Sequence, residues 1–147
     1  MDCNILLFDK FETLDAFGPA EIFSRLSREY SMCYYSMQGG IVTSSQNIRV
    51  DTEAADVMRG GILLVPGGMG TRALVNDSAF LEKLVIRAEG SEWILSVCTG
   101  SAWLARAGLL NGKKATSNKM AFDWAVCTGA DVNWIRQARW VVDGNIY

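Results

Sequence analysis

The sequence predicts an α/β domain built on a mostly parallel central sheet with helices on both faces. Three observations carry this. Short, uniformly apolar runs occur at residues 4–8, 62–66 and 93–97, the pattern of strands buried on both sides. Between the last two lies an amphipathic stretch, residues 76–89, in which Phe80, Leu81, Leu84, Val85 and Ala88 share a helical face. Two of the apolar runs end in small-residue breaks, Pro66-Gly67-Gly68-Met69-Gly70 and Cys98-Thr99-Gly100-Ser101. Strands alternating with helices in this way imply a parallel sheet.

The elements follow in order. Residues 4–8 form the first strand. Gly18-Pro19 is a turn signal, and proline suits the first turn of a helix carrying Ile22, Phe23 and Leu26. Residues 30–37 are rich in aromatics and read as a second strand, broken by Gly39-Gly40. Residues 41–50 read as a small hairpin around Ser44-Ser45-Gln46-Asn47. The strand at 62–66 precedes the helix at 76–89, capped by Asn76 or Asp77. After the strand at 93–97 a helix occupies 102–110 and ends near Gly108 and Gly112. A short strand at 114–116, a helix at 120–127 closed by Gly129, and strands at 132–135 and 139–142 with an Asp143-Gly144 hairpin turn complete the chain.

A length of 147 residues suits one domain, 1–147, with a core that needs neither disulfide nor metal. The formal charge is −2 and no stretch is strongly basic, which argues against nucleic-acid binding through phosphates. No apolar run reaches the roughly 18 residues of a membrane span. The N-terminus carries an acid and a short apolar run rather than a secretory pattern, so a cytoplasmic protein is expected. The four cysteines, Cys3, Cys33, Cys98 and Cys127, are scattered without a C-x-x-C pair, so free thiols are expected. The chain contains no histidine. Ser-His-Asp and Cys-His catalysis and histidine-ligated metal sites are thereby excluded within this chain.

Cys98 differs from the other three cysteines. It follows a buried strand directly, and small residues after it allow a tight turn into a helix, the layout of a nucleophile elbow. A thiol there faces the positive end of a helix dipole, which predicts a lowered pKa. The N–H of Thr99 supplies half of an oxyanion hole, and Gly68 or Met69 the other half, since a glycine-rich turn presents unobstructed N–H groups. Asp15 and Glu21 are the candidate acids. Each has a plainer alternative, Asp15 as a helix cap and Glu21 as a first-turn complement to the dipole. A carboxyl beside the thiol would share a proton with it and serve as general acid or base.

Four segments resemble the ThiJ/PfpI superfamily in order and spacing. They are Leu14-Asp15-Ala16-Phe17-Gly18-Pro19-Ala20-Glu21-Ile22-Phe23, Val65-Pro66-Gly67-Gly68-Met69-Gly70, Ser96-Val97-Cys98-Thr99-Gly100-Ser101 and Ala107-Gly108-Leu109-Leu110-Asn111-Gly112-Lys113-Lys114-Ala115-Thr116. The Thr99-Gly100 pair after the cysteine is similar to the isocyanide (isonitrile) hydratase branch and its ligand-sensing relatives. In the protease-like and glyoxalase-like branches a histidine commonly stands there. The resemblance implies a flavodoxin-like, class I glutamine amidotransferase-like sandwich, usually homodimeric, with no metal or organic cofactor. It implies Cys98 as nucleophile toward the terminal carbon of an isonitrile and Asp15 as acid/base. Thr99 and Gly68 would line the pocket, and Glu21 matches a carboxyl that contacts the thiol in many members. Two departures stand out. Ala115-Thr116-Ser117-Asn118 replaces a frequent Ala-Thr-Thr-His beside the pocket, and the sequence stops at Tyr147, before the long C-terminal helix that relatives usually carry. The expected function is cysteine-dependent hydration of a small electrophile such as an isonitrile to an N-formamide. The alternatives are a thiol-based redox or ligand sensor and glyoxalase/deglycase-type chemistry.

Overall fold

A computed structural model describes residues 1–147. Six strands form the main sheet: β1 (Asp2–Leu6), β2 (Ser31–Ser36), β3 (Gly40–Thr43), β4 (Arg49–Ala54), β5 (Ile62–Val65) and β6 (Trp93–Ser96). Their order is β3-β4-β2-β1-β5-β6, and only the β3–β4 hairpin is antiparallel. The apolar runs become the centre of the sheet because every residue of β5 and nearly every residue of β1 is buried. A separate two-stranded parallel sheet pairs β7 (Lys114–Ala115) with β8 (Asn133–Trp134).

From β1 the chain crosses to β2 on one side through α1 (Thr13–Ser24). It later crosses from β5 to β6 on the other side through α2 (Gly70–Leu74) and α3 (Ser78–Glu89). Right-handed crossovers in opposite directions put α1 and α3 on opposite faces. The aromatic packing agrees. Phe17 of α1 meets Tyr34, with ring centroids 5.9 Å apart. Phe8 and Phe80 clasp the fully buried Trp103 of α4 (Gly100–Arg106) at 4.3 and 4.4 Å. The indole N–H of Trp103 donates to the Thr71 carbonyl, so this large residue leaves no polar group unpaired.

Local chemistry explains where several elements begin. Asp77 accepts from the Phe80 N–H and caps α3, as one of the two capping candidates predicts. The hairpin predicted at residues 41–50 is present, and β4 runs on to pair in parallel with β2. The helix predicted from Gly18-Pro19 instead begins at Thr13 and runs through both residues. Its first turn is held from outside, because the Thr13 N–H and hydroxyl both reach the Gln46 side-chain oxygen. Pro19, inside the helix, cannot donate to the Asp15 carbonyl, so α1 lacks that one backbone bond. α2, unforeseen in the sequence, starts directly after the glycine-rich turn.

The predicted strand at 139–142 is not formed. The chain there drapes across the end of the sheet, and Asp143 Oδ2 accepts from the Lys114 N–H. The Asp143-Gly144 turn is present, and it delivers Ile146 to pair in parallel beside Ile94. α5 (Phe122–Val126) is shorter than the predicted 120–127, because Asn118 accepts from the Met120 and Ala121 N–H groups ahead of it.

Trp103 concentrates the packing of β1, α2, α3 and α4 in one side chain. Trp103→Ala is expected to lower unfolding free energy by about 3–5 kcal/mol, measured by urea denaturation.

Candidate active site

Three strand ends meet at the point where the strand order reverses, between β1 and β5. In an open α/β sheet, that is where a crevice opens outside the carboxyl ends of the strands. β1 leads to Asp15 in the first turn of α1, β5 to the Gly67 turn, and β6 to Cys98.

Cys98 has a backbone φ of 56°, the left-handed region that a non-glycine residue adopts only under constraint. The constraint is visible. The Val97 N–H is fixed to the Val65 carbonyl at 3.0 Å, and the Gly100 N–H closes the turn on the Val97 carbonyl at 2.9 Å. The Cys98 carbonyl accepts from two hydroxyls, Ser101 at 3.2 Å and Ser117 at 3.0 Å. Two glycines let the β5 turn and the elbow touch. A side chain at Gly67 would lie 2.6 Å from the Thr99 nitrogen and 2.8 Å from Cys98 Cβ. One at Gly100 would collide with the Val65 carbonyl oxygen.

The structure brings Asp15 to the thiol. Its Oδ2 accepts from the Gly67 N–H at 3.1 Å, and its carboxyl lies close enough to Cys98 for each group to shift the other's titration. α1 is anchored so that this happens, with the Glu12 N–H donating to the Gly67 carbonyl at 2.8 Å. Burial pushes the Asp15 carboxyl above its ordinary pKa, opposed by the Gly67 N–H and the thiol, while nearby Glu12 adds to the rise. Thr99 follows directly, and its N–H and hydroxyl favour the thiolate.

Four expectations need correction. Glu21 is not brought to Cys98. It lies six residues beyond Asp15, about 240° around the same helix, and pairs with Arg25 at 2.5 Å, its side chain 63% exposed. The Gly68 N–H does not open into a pocket, because it donates to Thr99 Oγ1 at 3.1 Å. Met69 is 63% exposed and lies outside the cleft. The thiol pKa is raised rather than lowered. Burial and then the Asp15 charge push it up, and the Thr99 N–H and hydroxyl only partly oppose them. A helix of seven residues does not outweigh a carboxylate at contact.

An open cleft of about 690 Å³ adjoins Cys98, lined among others by Pro19, Thr116, Ser117, Asn118 and Trp140. Gly67, Ser117 and Trp140 were not singled out by sequence reasoning. Gly67 sits inside the quoted Pro-Gly-Gly motif and Ser117 inside a quoted pocket-bordering segment. Trp140, given no site role from the sequence, is 76% exposed beside the cleft.

An α/β sandwich with a cysteine elbow and an apposed carboxyl defines the class. The chain belongs to the DJ-1/PfpI family, which it matches over residues 2–147. It is 28% identical to an isonitrile hydratase of Pseudomonas putida, an alignment covering all of this chain and 64% of that protein. It is 29% identical to a deglycase of Pyrococcus abyssi, over 96% of this chain and 84% of that one. Among solved structures, a ThiJ/PfpI family protein from Pseudomonas syringae superposes with a TM-score of 0.85 at 29% identity, over 99% of this chain and 60% of that one. The chain therefore spans less than two thirds of the length of the hydratase and of the Pseudomonas syringae protein. No helix of the structure is long and apolar enough to cross a membrane.

With the thiol raised by burial and then by the Asp15 charge, alkylation of Cys98 by iodoacetamide is expected to climb with pH through a midpoint above the usual thiol value. Asp15→Asn removes the negative charge and moves that midpoint down, read from the pH profile of alkylation. An unchanged midpoint would mean that the sulfur does not feel the carboxylate.

Proposed function

We propose that this protein hydrates a small carbon electrophile, an isonitrile, to the corresponding N-formamide through Cys98. The observation that carries the proposal is the Cys98–Asp15 pair, a thiol and a half-buried carboxyl close enough to perturb each other beside an open cleft. Similarity to an isonitrile hydratase supports the same reading.

The chemistry suits the pair. The terminal carbon of an isonitrile takes up a nucleophile and a proton on one atom, so both must be delivered from one place. A thiol and a carboxyl this close can share one proton as a coupled pair. As sulfur bonds to the isonitrile carbon, Asp15 takes the thiol proton and passes it to that carbon, giving a thioimidate, R–N=CH–S–Cys98. Water then adds across the C=N bond, its hydroxyl to carbon and its proton to nitrogen. The C–S bond breaks as the new C=O forms, and the hydroxyl proton returns through Asp15 to the sulfur. The product is R–NH–CHO, and the thiol is restored.

Thr99 steadies the sulfur whenever it carries negative charge, through its N–H and hydroxyl. Gly67 fixes the Asp15 carboxyl with its N–H. Deglycase similarity makes an aldehyde substrate the second reading, with the thiol forming a hemithioacetal. Against it, the chain has no histidine to shuttle a proton between two carbons.

Incubation with a simple neutral isonitrile such as phenyl isonitrile should yield the N-formamide, quantified by chromatography. Cys98→Ala should abolish turnover, and Asp15→Asn should slow it by about 10²–10⁴-fold. Equal turnover by wild type and Cys98→Ala would defeat the proposal. Lactate from methylglyoxal in its place would move the protein to the glyoxalase-type reading. Peroxide oxidation confined to Cys98 without turnover would point to a thiol sensor.

A further inference from the structure

We infer that the Cys98 cleft selects substrates with an anionic group, an aryl or alkyl electrophile bearing a carboxylate at the end remote from the reactive carbon. This rests on the function proposed above and concerns the far wall of the same cleft. The chain as a whole is acidic, at −2. Its cleft has the opposite character. Lys114, Lys119 and Arg139 line it, and no aspartate or glutamate does.

None of these cations is neutralised by a side chain. The molecule's two ion pairs are Arg25–Glu21 and Arg136–Asp123, so all three stand outside them. Lys119 Nζ donates to the Thr116 hydroxyl at 2.8 Å and the Ala138 carbonyl at 2.5 Å and lies over the Phe122 ring, with no carboxylate among these contacts. Arg139 is exposed, and no hydrogen bond of the structure engages its guanidinium. Asp143, occupied by the main-chain N–H of Lys114, does not line the cleft. The Tyr147 main-chain oxygen at the cleft edge is likewise occupied, by the N–H and hydroxyl of Ser96.

A concave surface lined by one sign of charge concentrates ligands of the other sign and accelerates their arrival. Val97, Leu110 and the exposed Trp140 indole line the same cleft as the cations and Cys98. A substrate with a reactive carbon, an apolar spacer and a carboxylate would engage all three kinds of lining. Arg139 can meet such a carboxylate with two parallel N–H groups.

Two arms separate this inference from the reaction it rests on. The first compares 4-isocyanobenzoate with phenyl isonitrile. The charged compound should be favoured at least about fivefold in kcat/KM at low salt, with the preference collapsing in about 0.5 M salt. Arg139→Glu should reverse the ratio. The second arm needs no turnover. Benzoate should slow alkylation of Cys98 by neutral iodoacetamide more than benzamide does, and Arg139→Glu should remove the difference. Equal shielding by benzoate and benzamide, or a charged-to-neutral ratio insensitive to both salt and Arg139→Glu, overturns the anion selectivity. Benzoate-specific shielding without turnover of either isonitrile upholds the selectivity and defeats the hydratase reaction.

Discussion

The left-handed backbone at Cys98 is the constraint on which the functional architecture depends. Such a conformation costs a residue with a Cβ about 1–2 kcal/mol. It persists because every neighbouring group is committed to it: the Val97 N–H to β5, the Gly100 N–H to Val97, and two serine hydroxyls to the Cys98 carbonyl. The return is positional. A residue in ordinary extended geometry would point its side chain into one face of the sheet. The sharp turn instead carries the sulfur past the end of β6, toward the carboxyl that α1 presents.

The Cys98–Asp15 contact joins residues 83 positions apart (98 − 15) across two crossovers of opposite direction. Burial drives both groups toward the neutral form, and the Asp15 charge adds to the rise at Cys98. A free, strongly acidic thiol would be oxidised and alkylated indiscriminately. A thiol that keeps its proton is quieter at rest, and in the proposed reaction the carboxyl that restrains it is the group that would move the proton. Gly67 serves both partners, donating its N–H to Asp15 and leaving room for the elbow by lacking a side chain.

The parts legible in the sequence were those set by local pattern. The apolar runs became the central strands, Asp77 became a cap, and the small residues after Cys98 became the elbow. What was not legible depends on partners distant in the chain. The start of α1 is fixed by Gln46, 33 residues beyond Thr13, so Gly18-Pro19 taken alone suggested a later helix. That displacement is why Asp15 and Glu21 stood level as candidates. Only a known helix start and axis places them on different sides, one at the sulfur and one in solvent beside Arg25. The thiol's pKa was misjudged because a dipole can be inferred from sequence, whereas the burial that chiefly raises the pKa is set by the fold. Residues 139–142 have strand-like composition, yet no strand stands free beside them to pair with.

The short pairing beside β6 has a consequence for the behaviour of the molecule among its own copies. Ile94 and Ser96 donate to the Asn145 and Tyr147 carbonyls, and the Tyr147 N–H returns to Ile94. Without that ribbon, β6 would offer a row of unsatisfied main-chain groups, an invitation to intermolecular strand addition. The same three bonds also stiffen the strand two residues ahead of the elbow. Loosening of the ribbon would therefore expose the protein to aggregation and blunt its chemistry in a single event.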